Sequence, residues 1–376
     1  MRILLSGGGT GGHAYPILTV VAAAKELWSE QAISEPLAFL YVGTEEGVEA
    51  RLARRAQLAF APIQAGQIHI RNPIKLARNA LRMARGSRQA RRILADWRPD
   101  AVFVTGGYVC GPVVWAARSQ HAPVLIYLPD ITPGMGVQRL ASAAAAIAVS
   151  FPEVARHFEA YPAQIYDVGY PVRPELRRRS MSRAEARIAF QLDPHRFTLL
   201  TFGGSRGARA INQALAHILP RLLDEMQVIH ISGELDFQQA QARAAALTPE
   251  QRRDYRLFPY LHDEMIPALH AADLVVARAG ASTLGEFPAL GLPAILVPLP
   301  ISGGHQRHNA RYLAEREAAV IVENDAMATD LLPAILDLRR NPPRLAAMSQ
   351  ASAALARPNA AQDIARILFE LAKSHE

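Results

Sequence analysis

Cysteine is all but missing from this sequence. Cys110 is the single one in 376 residues, so no internal disulfide can form and a reducing compartment is expected. Long hydrophobic runs are missing as well: Leu292 to Ile301 is apolar but too short to span a bilayer, and it carries prolines. At the amino terminus glycines arrive after only a few apolar residues, which argues against a secretory leader. No carboxylates or histidines cluster at metal-ligand spacing. No tandem repeat or low-complexity linker is visible apart from the alanine-rich stretch Ala141 to Ala146. What the chain does have is hydrophobic content, 50% of its residues, and a formal charge of +7. That is enough for two domains with a core each. The charge is compatible with an anionic ligand, a membrane surface or nucleic acid, and does not choose among them.

The organising stretch is Gly7-Gly8-Gly9-Thr10-Gly11-Gly12-His13. Before it, Ile3-Leu4-Leu5 reads as a buried strand; after it, Ile17 to Leu27 reads as a helix. Glycines let backbone approach a ligand closely, and a helix start offers unpaired N–H groups to an anion. A second opening of this kind is Gly203-Gly204-Ser205-Arg206-Gly207, behind the apolar strand Thr198 to Phe202. Strands and helices alternate through both halves. The pattern predicts an α/β protein of two Rossmann-like doubly wound domains facing a cleft. The domains are expected over 1–165 and 166–357, near the stiff connector Gly169-Tyr170-Pro171-Val172-Arg173-Pro174. A capped helix from Asn359 to Lys373 is expected to cross back, adding 358–376 to the first domain.

Arg71 to Arg92 holds eight basic residues and no acidic one. On a helix Lys75, Arg78, Arg82 and Arg85 share a side. Leu76, Ala80, Met83 and Leu94 are expected roughly opposite, toward the core, with Ile74 and Leu81 flanking the cations. Cations among apolar groups suit an anionic membrane surface, where each nearby Lys or Arg contributes about 1 kcal/mol. The plainer reading is a solvated helix face. Nucleic acid is disfavoured, because no aromatic residue interleaves with the arginines.

Further chemistry-bearing residues sit after other strands. Gly106-Gly107-Tyr108-Val109-Cys110-Gly111-Pro112 follows the strand Asp100 to Thr105, at the same sheet edge as the first glycine loop. Cys110 reads as a packed small residue rather than a nucleophile, since no base is visible beside it. Asp130 follows the strand Val124 to Tyr127 and is either a cleft-facing acid or a cap ahead of Pro133. In the second half, Arg278-Ala279-Gly280-Ala281-Ser282-Thr283-Leu284-Gly285-Glu286 follows the strand Asp273 to Ala277. Small and hydroxyl residues at a helix start can hold phosphate. Glu286, a turn and a half in, can accept two hydrogen bonds from a vicinal diol, or merely complement the helix dipole. The polar loop Ser302 to Asn309 follows the strand Ala294 to Pro298.

Gly7, Gly9 and Gly12 also satisfy a dinucleotide fingerprint, which would mean a nicotinamide-dependent oxidoreductase. That fingerprint wants an acid ending the second strand. Here the strand ends in Val42-Gly43-Thr44 before Glu45, and the second loop and Glu286 would be left without a role.

Taken together, Gly8 to His13, Gly106-Gly107-Tyr108-Val109 with Gly111-Pro112, Gly169 with Pro171-Val172-Arg173, Gly203-Gly204-Ser205 with Gly207-Ala208-Arg209, Gly280-Ala281 through Glu286, and Gln306 with Asn309-Ala310 resemble the MurG family. These are the peptidoglycan N-acetylglucosaminyltransferases of glycosyltransferase family 28, with the two-domain GT-B fold. The resemblance implies inverting transfer of N-acetylglucosamine from UDP-N-acetylglucosamine to the muramyl pentapeptide of undecaprenyl-diphosphate-linked lipid I, forming lipid II for peptidoglycan. Another membrane glycolipid is the alternative acceptor. The UDP-sugar would bind the second domain, with Glu286 on the ribose diol. Ser205 and the helix start Ala281, Ser282 and Thr283 would face the diphosphate, with Leu284 and Gly285 as further donor- or substrate-binding positions. Leu261 and His262 would offer backbone to uracil. Arg173 and Gln306 would complete the donor site, Gln306 at the sugar. Thr10, Gly11 and Gly12 would cradle the acceptor side, and Tyr108 and Asp130 would be further donor- or substrate-binding positions, Asp130 near the reaction centre. The basic segment would rest on the cytoplasmic face of the cell membrane, making the enzyme peripheral. No cofactor or metal is implied.

Displacement at an anomeric carbon needs a base on the acceptor hydroxyl and stabilisation of the departing diphosphate. His13 is one candidate base, by its cleft position and useful pKa range; its alternative role is to fix the loop. Asp130 is the other. Tyr127-Leu128-Pro129-Asp130 stands where the family typically has His-Glu-Gln-Asn, and Arg206 replaces a glutamine.

Overall fold

The computed structural model describes residues 1–9, 11–31, 35–66, 73–177, 181–204, 207–300 and 304–374. Two parallel sheets account for its strands. Arg2–Ser6 (β1), Ala38–Gly43 (β2), Ala59–Pro62 (β3), Ala101–Val104 (β4), Val124–Leu128 (β5), Ala146–Val149 (β6) and Gln164–Asp167 (β7) pair in the order β3-β2-β1-β4-β5-β6-β7. Thr198–Phe202 (β8), Gln227–Ile231 (β9), Tyr255–Phe258 (β10), Leu274–Ala277 (β11), Ala294–Leu296 (β12) and Ala319–Ile321 (β13) pair in the order β10-β9-β8-β11-β12-β13. Short apolar strands such as Ile3-Leu4-Leu5 are buried at every position, as a parallel sheet covered on both faces requires.

The chain divides into two compact units, Met1–Val172 with Arg357–Glu376, and Arg173–Ala356. The first unit runs past β7 because that strand pairs with β6, and the N–H groups of Val168 and Gly169 both donate to Val149. The helix Ala360–Lys373 buries Ile364, Ala365, Leu368, Phe369 and Ala372, a helical stripe, in the first unit's core beside Ile17 and Trp28. Trp28 and Phe369 meet edge to face, with ring centroids 5.2 Å apart. Asn359 precedes this helix, but its side chain makes no capping bond, contrary to the expected cap.

Helix Gly11–Glu30 (α1) begins earlier than expected, because Gly11 and Gly12 are already helical. Val48–Arg55 (α2) follows β2, and Cys110–Ser119 (α4) follows β4. The basic segment forms the helix Pro73–Trp97 (α3). It is mounted on a narrower stripe than its sequence suggested. Asn79, Met83, Gly86, Ala90 and Leu94 are buried, whereas Leu76 and Ala80 are exposed. At Gly86 a Cβ would stand 1.8 Å from the Gln64 carbonyl oxygen, so the helix packs closely there. Leu76 shares the face of Met83, seven residues on, but sits in the helix's first turn, and Ala80 falls off the buried stripe. Arg71 and the side chain of Ile74 lie outside what the structure describes.

Candidate active site

In open parallel sheets, ligands collect beyond the strand ends where the strand order reverses. The reversals here lie between β1 and β4 and between β8 and β11. In the first unit the loop after β1 packs on the loop after β4. The Gly8 N–H donates to the Gly106 carbonyl at 3.2 Å. Gly107, at φ +91°, sits where a Cβ would fall 2.2 Å from the Gly8 oxygen. Gly106 leaves room for the His13 ring, since a Cβ there would approach its Cε1 to 2.9 Å.

His13 is held at both ends. Its Nδ1 lies 2.8 Å from the Thr105 carbonyl oxygen, and the Thr105 hydroxyl donates to the His13 carbonyl at 2.6 Å. A carbonyl oxygen only accepts, so this contact puts a proton on Nδ1. In the neutral ring Nε2 then keeps its lone pair, the arrangement a general base needs. Asp130 lies just beyond β5, half-buried. Among the described residues no hydrogen bond or ion pair joins His13 to Asp130. Tyr108 is half-buried, its ring 3.5 Å from where a Gly9 Cβ would be. Thr10 lies outside the described residues. Cys110 is fully buried, its thiol directed at the Gly106 carbonyl 2.9 Å away. Burial pushes that thiol up to about 12, so it is inert as a nucleophile.

In the second unit the segment after β11 turns at Gly280 into the helix Thr283–Leu290. The Thr283 hydroxyl donates to the Gly280 carbonyl at 2.6 Å. Glu286 stands in the first turn and accepts from Arg173 Nη2 at 3.1 Å. Burial pushes the Glu286 carboxyl above its ordinary range, and the Arg173 guanidinium pulls it back. Gln306 accepts from the Leu299 N–H at 2.9 Å, and buried Asn309 donates to the Ala279 carbonyl at 3.0 Å. These two side chains knit the loop ends around the helix start. Leu261 is buried, while His262 is exposed and donates its N–H to Glu264 at 3.2 Å. Ser205 and Arg206 lie outside the described residues.

Two features escaped the sequence reading. Arg278, just after β11, is buried and, among the described residues, donates to the carbonyls of Val297 and Pro298, at 3.1 and 3.3 Å. Burial lowers its pKa, and no carboxylate pairs with it among the described residues. The second feature is a polar chain behind the second glycine loop. Arg209 and Asn212 both donate to Asp236 at 3.0 Å, and Asn212 also donates to the Ser232 carbonyl at 2.8 Å. The Asn212 amide oxygen therefore faces His230 and accepts from its Nε2 at 3.0 Å, while Nδ1 accepts from the Tyr255 hydroxyl at 2.7 Å. Burial pushes His230 down to about 4. Lone polar residues on a helix and two strands carry no spacing signal that would have revealed this chain.

Residues 3–149 match the Glycosyltransferase family 28 N-terminal domain, and residues 198–364 match the Glycosyltransferase family 28 C-terminal domain. This chain belongs to glycosyltransferase family 28. A family member from Roseiflexus sp. (strain RS-1), named UDP-N-acetylglucosamine--N-acetylmuramyl-(pentapeptide) pyrophosphoryl-undecaprenol N-acetylglucosamine transferase, is 40% identical over 99% of this chain and 95% of its own. A relative of the same name from Halalkalibacterium halodurans is 35% identical over 99% of this chain and 100% of its own. Among solved structures, Acinetobacter baumannii MurG superposes with TM-score 0.73 at 27% identity, covering 98% of this chain and 99% of the other. The two-domain GT-B fold is thereby established for this family-28 chain. Among its described residues, no helix is long and apolar enough to cross a membrane, and no group of three or more His, Cys, Asp or Glu could hold a metal ion.

Proposed function

We propose that this protein transfers N-acetylglucosamine from UDP-N-acetylglucosamine to the muramyl-pentapeptide pyrophosphoryl-undecaprenol acceptor, with inversion at the anomeric carbon. One observation carries the reading. Glu286 and its partner Arg173 stand at a helix start on the second sheet's reversal point, in a chain that matches near full length relatives named for this reaction. Glu286 accepts the two ribose hydroxyls. The helix start from Ala281 to Thr283, with Ser205, meets the diphosphate through N–H and hydroxyl groups. Arg278 adds positive potential behind it, strengthened by its burial. Leu261 and His262 border the base, and Gln306 the sugar.

On the acceptor side, Thr10, Gly11, Gly12 and Tyr108 border the muramyl sugar. His13 Nε2 removes the proton from its attacking hydroxyl. The new bond forms at the anomeric carbon as the bond to the diphosphate oxygen breaks, and UDP departs with the electron pair. Asp130 is the second candidate for the base. Because it stands where the family typically has asparagine, it is also the specific reason to keep another membrane glycolipid as the alternative acceptor.

The enzyme works as a peripheral protein on the cytoplasmic face of the membrane. Helix α3 exposes Lys75, Arg78, Arg82, Arg85 and Arg88 together with Leu81, 53% accessible, and α4, which packs on α3, exposes Trp115 at 48%. Cations around apolar side chains suit an anionic lipid surface. The test is UDP release from UDP-N-acetylglucosamine on anionic vesicles carrying either the muramyl lipid or a diacylglycerol acceptor. Turnover is expected with the first; turnover confined to the second would defeat the proposal.

A further inference from the structure

Glu49 is fully buried in the first turn of α2, and among the described residues no Lys or Arg pairs with it. A buried carboxylate without a counter-ion is costly unless hydrogen bonds replace its water. Here they come from two separate segments. Oε1 accepts from the Thr44 N–H at 3.1 Å and the Thr44 hydroxyl at 2.6 Å, and Oε2 accepts from the Gly9 N–H at 3.3 Å. The glycines nearby make its space. A Cβ would stand 2.6 Å from its carboxyl carbon at Gly8, 2.7 Å from its Cγ at Gly43 and 2.2 Å from its carboxyl carbon at Gly47. Tyr41 of β2 supports the same loop by donating to the Gly7 carbonyl at 2.5 Å.

We infer that Glu49 is a positioning residue for the acceptor half of the reaction. Its carboxylate ties the turn after β2 to the first glycine loop, and so sets where that loop and His13, four residues beyond Gly9, meet the acceptor. The glycines of the two segments, Gly8 on one side and Gly43 and Gly47 on the other, are explained by one side chain that needs the room. Oε2 is the acceptor that the Gly9 N–H meets, so the carboxylate sets the direction of that N–H.

The inference rests on the acceptor site proposed above, and Glu49→Gln tests the two separately. The amide keeps the shape but, in either orientation, sets its NH2 group against one backbone N–H, that of Gly9 or that of Thr44. Expected are a fall of about tenfold in kcat/KM for the acceptor, a donor KM within about twofold of the parent, and about tenfold faster hydrogen exchange in the 7–13 peptide, with β9 as the unchanged control. Glu49→Ala exceeds these effects if it folds. A lowered melting temperature with unaltered acceptor kinetics and unaltered exchange would make Glu49 an ordinary core residue and overturn the inference. If the parent enzyme ignores the muramyl acceptor while the variant still loosens 7–13, the functional reading fails and the tie stands.

Discussion

The two glycine loops begin alike and are then furnished differently. Each follows a central strand at a reversal point, and each opens a helix. Around the first, the supporting polar groups are carbonyls and a buried acid: Thr105 and Gly106 on one side, Glu49 beneath. Around the second and its neighbour after β11 stand three arginines: Arg173 paired with Glu286, Arg209 paired with Asp236, and Arg278, which meets no carboxylate among the described residues. A buried acid without a counter-ion beneath a loop disfavours a phosphate there, while a buried guanidinium without one, as at Arg278, favours it. The fold thus offers two similar cradles; in the proposed reaction the first receives the acceptor hydroxyl and its base and the second the diphosphate.

The largest effect should come from the first cradle. His13→Ala is expected to lower kcat by about 100- to 10,000-fold while UDP affinity, measured by calorimetry, stays put. If Asp130→Ala shows that loss instead, the base assignment moves to β5. If neither variant loses more than about tenfold, both assignments fall.

Next is a pH response confined to the second unit. His230 is neutral when folded, with its pKa pushed down to about 4 by burial. An unfolded chain takes up that proton near pH 6.5, so the unfolded state binds more protons between these values. Its contribution is complete above about pH 6.5 and is lost as pH falls toward 4, by about 3 kcal/mol in all. Denaturant titrations at pH 7 and pH 4.5 should show the parent losing more stability than His230→Gln. Equal losses would remove His230 from the account.

A smaller change distinguishes the cradles most sharply. Glu286→Gln keeps size but replaces one acceptor oxygen with a donor group. Its donor kcat/KM is expected to fall about 100-fold, two charge-assisted bonds being weakened, with acceptor KM unaltered. A rise in acceptor KM alone would reverse the assignment of the two cradles.

Much of this comparison was legible in the residues. Glycine runs behind apolar strands announce themselves, because close backbone approach excludes side chains. The small residues ahead of Glu286 likewise leave little choice but a helix start. What stayed hidden depends on tertiary contact. Glu49 reads as an ordinary acid in a first helical turn, and only the glycines at positions 8, 43 and 47, distant in sequence, reveal the space made for it. Arg278 reads as one more surface arginine until its burial is known. On α3, apolar spacing suggested that Leu76 was covered like Met83 on the same face, and its exposure in the first turn depends on what packs there. No pattern along the chain could pair Tyr255 with His230, since their strands meet only in the sheet.

The helix Ala360–Lys373 completes a core whose other members come from the opposite end of the polypeptide. A ribosome making this protein therefore releases an entire second unit before the first can bury Trp28 against Phe369. Until then that apolar surface is bare, a standing invitation to chaperones, and a premature stop near residue 356 would leave it so permanently.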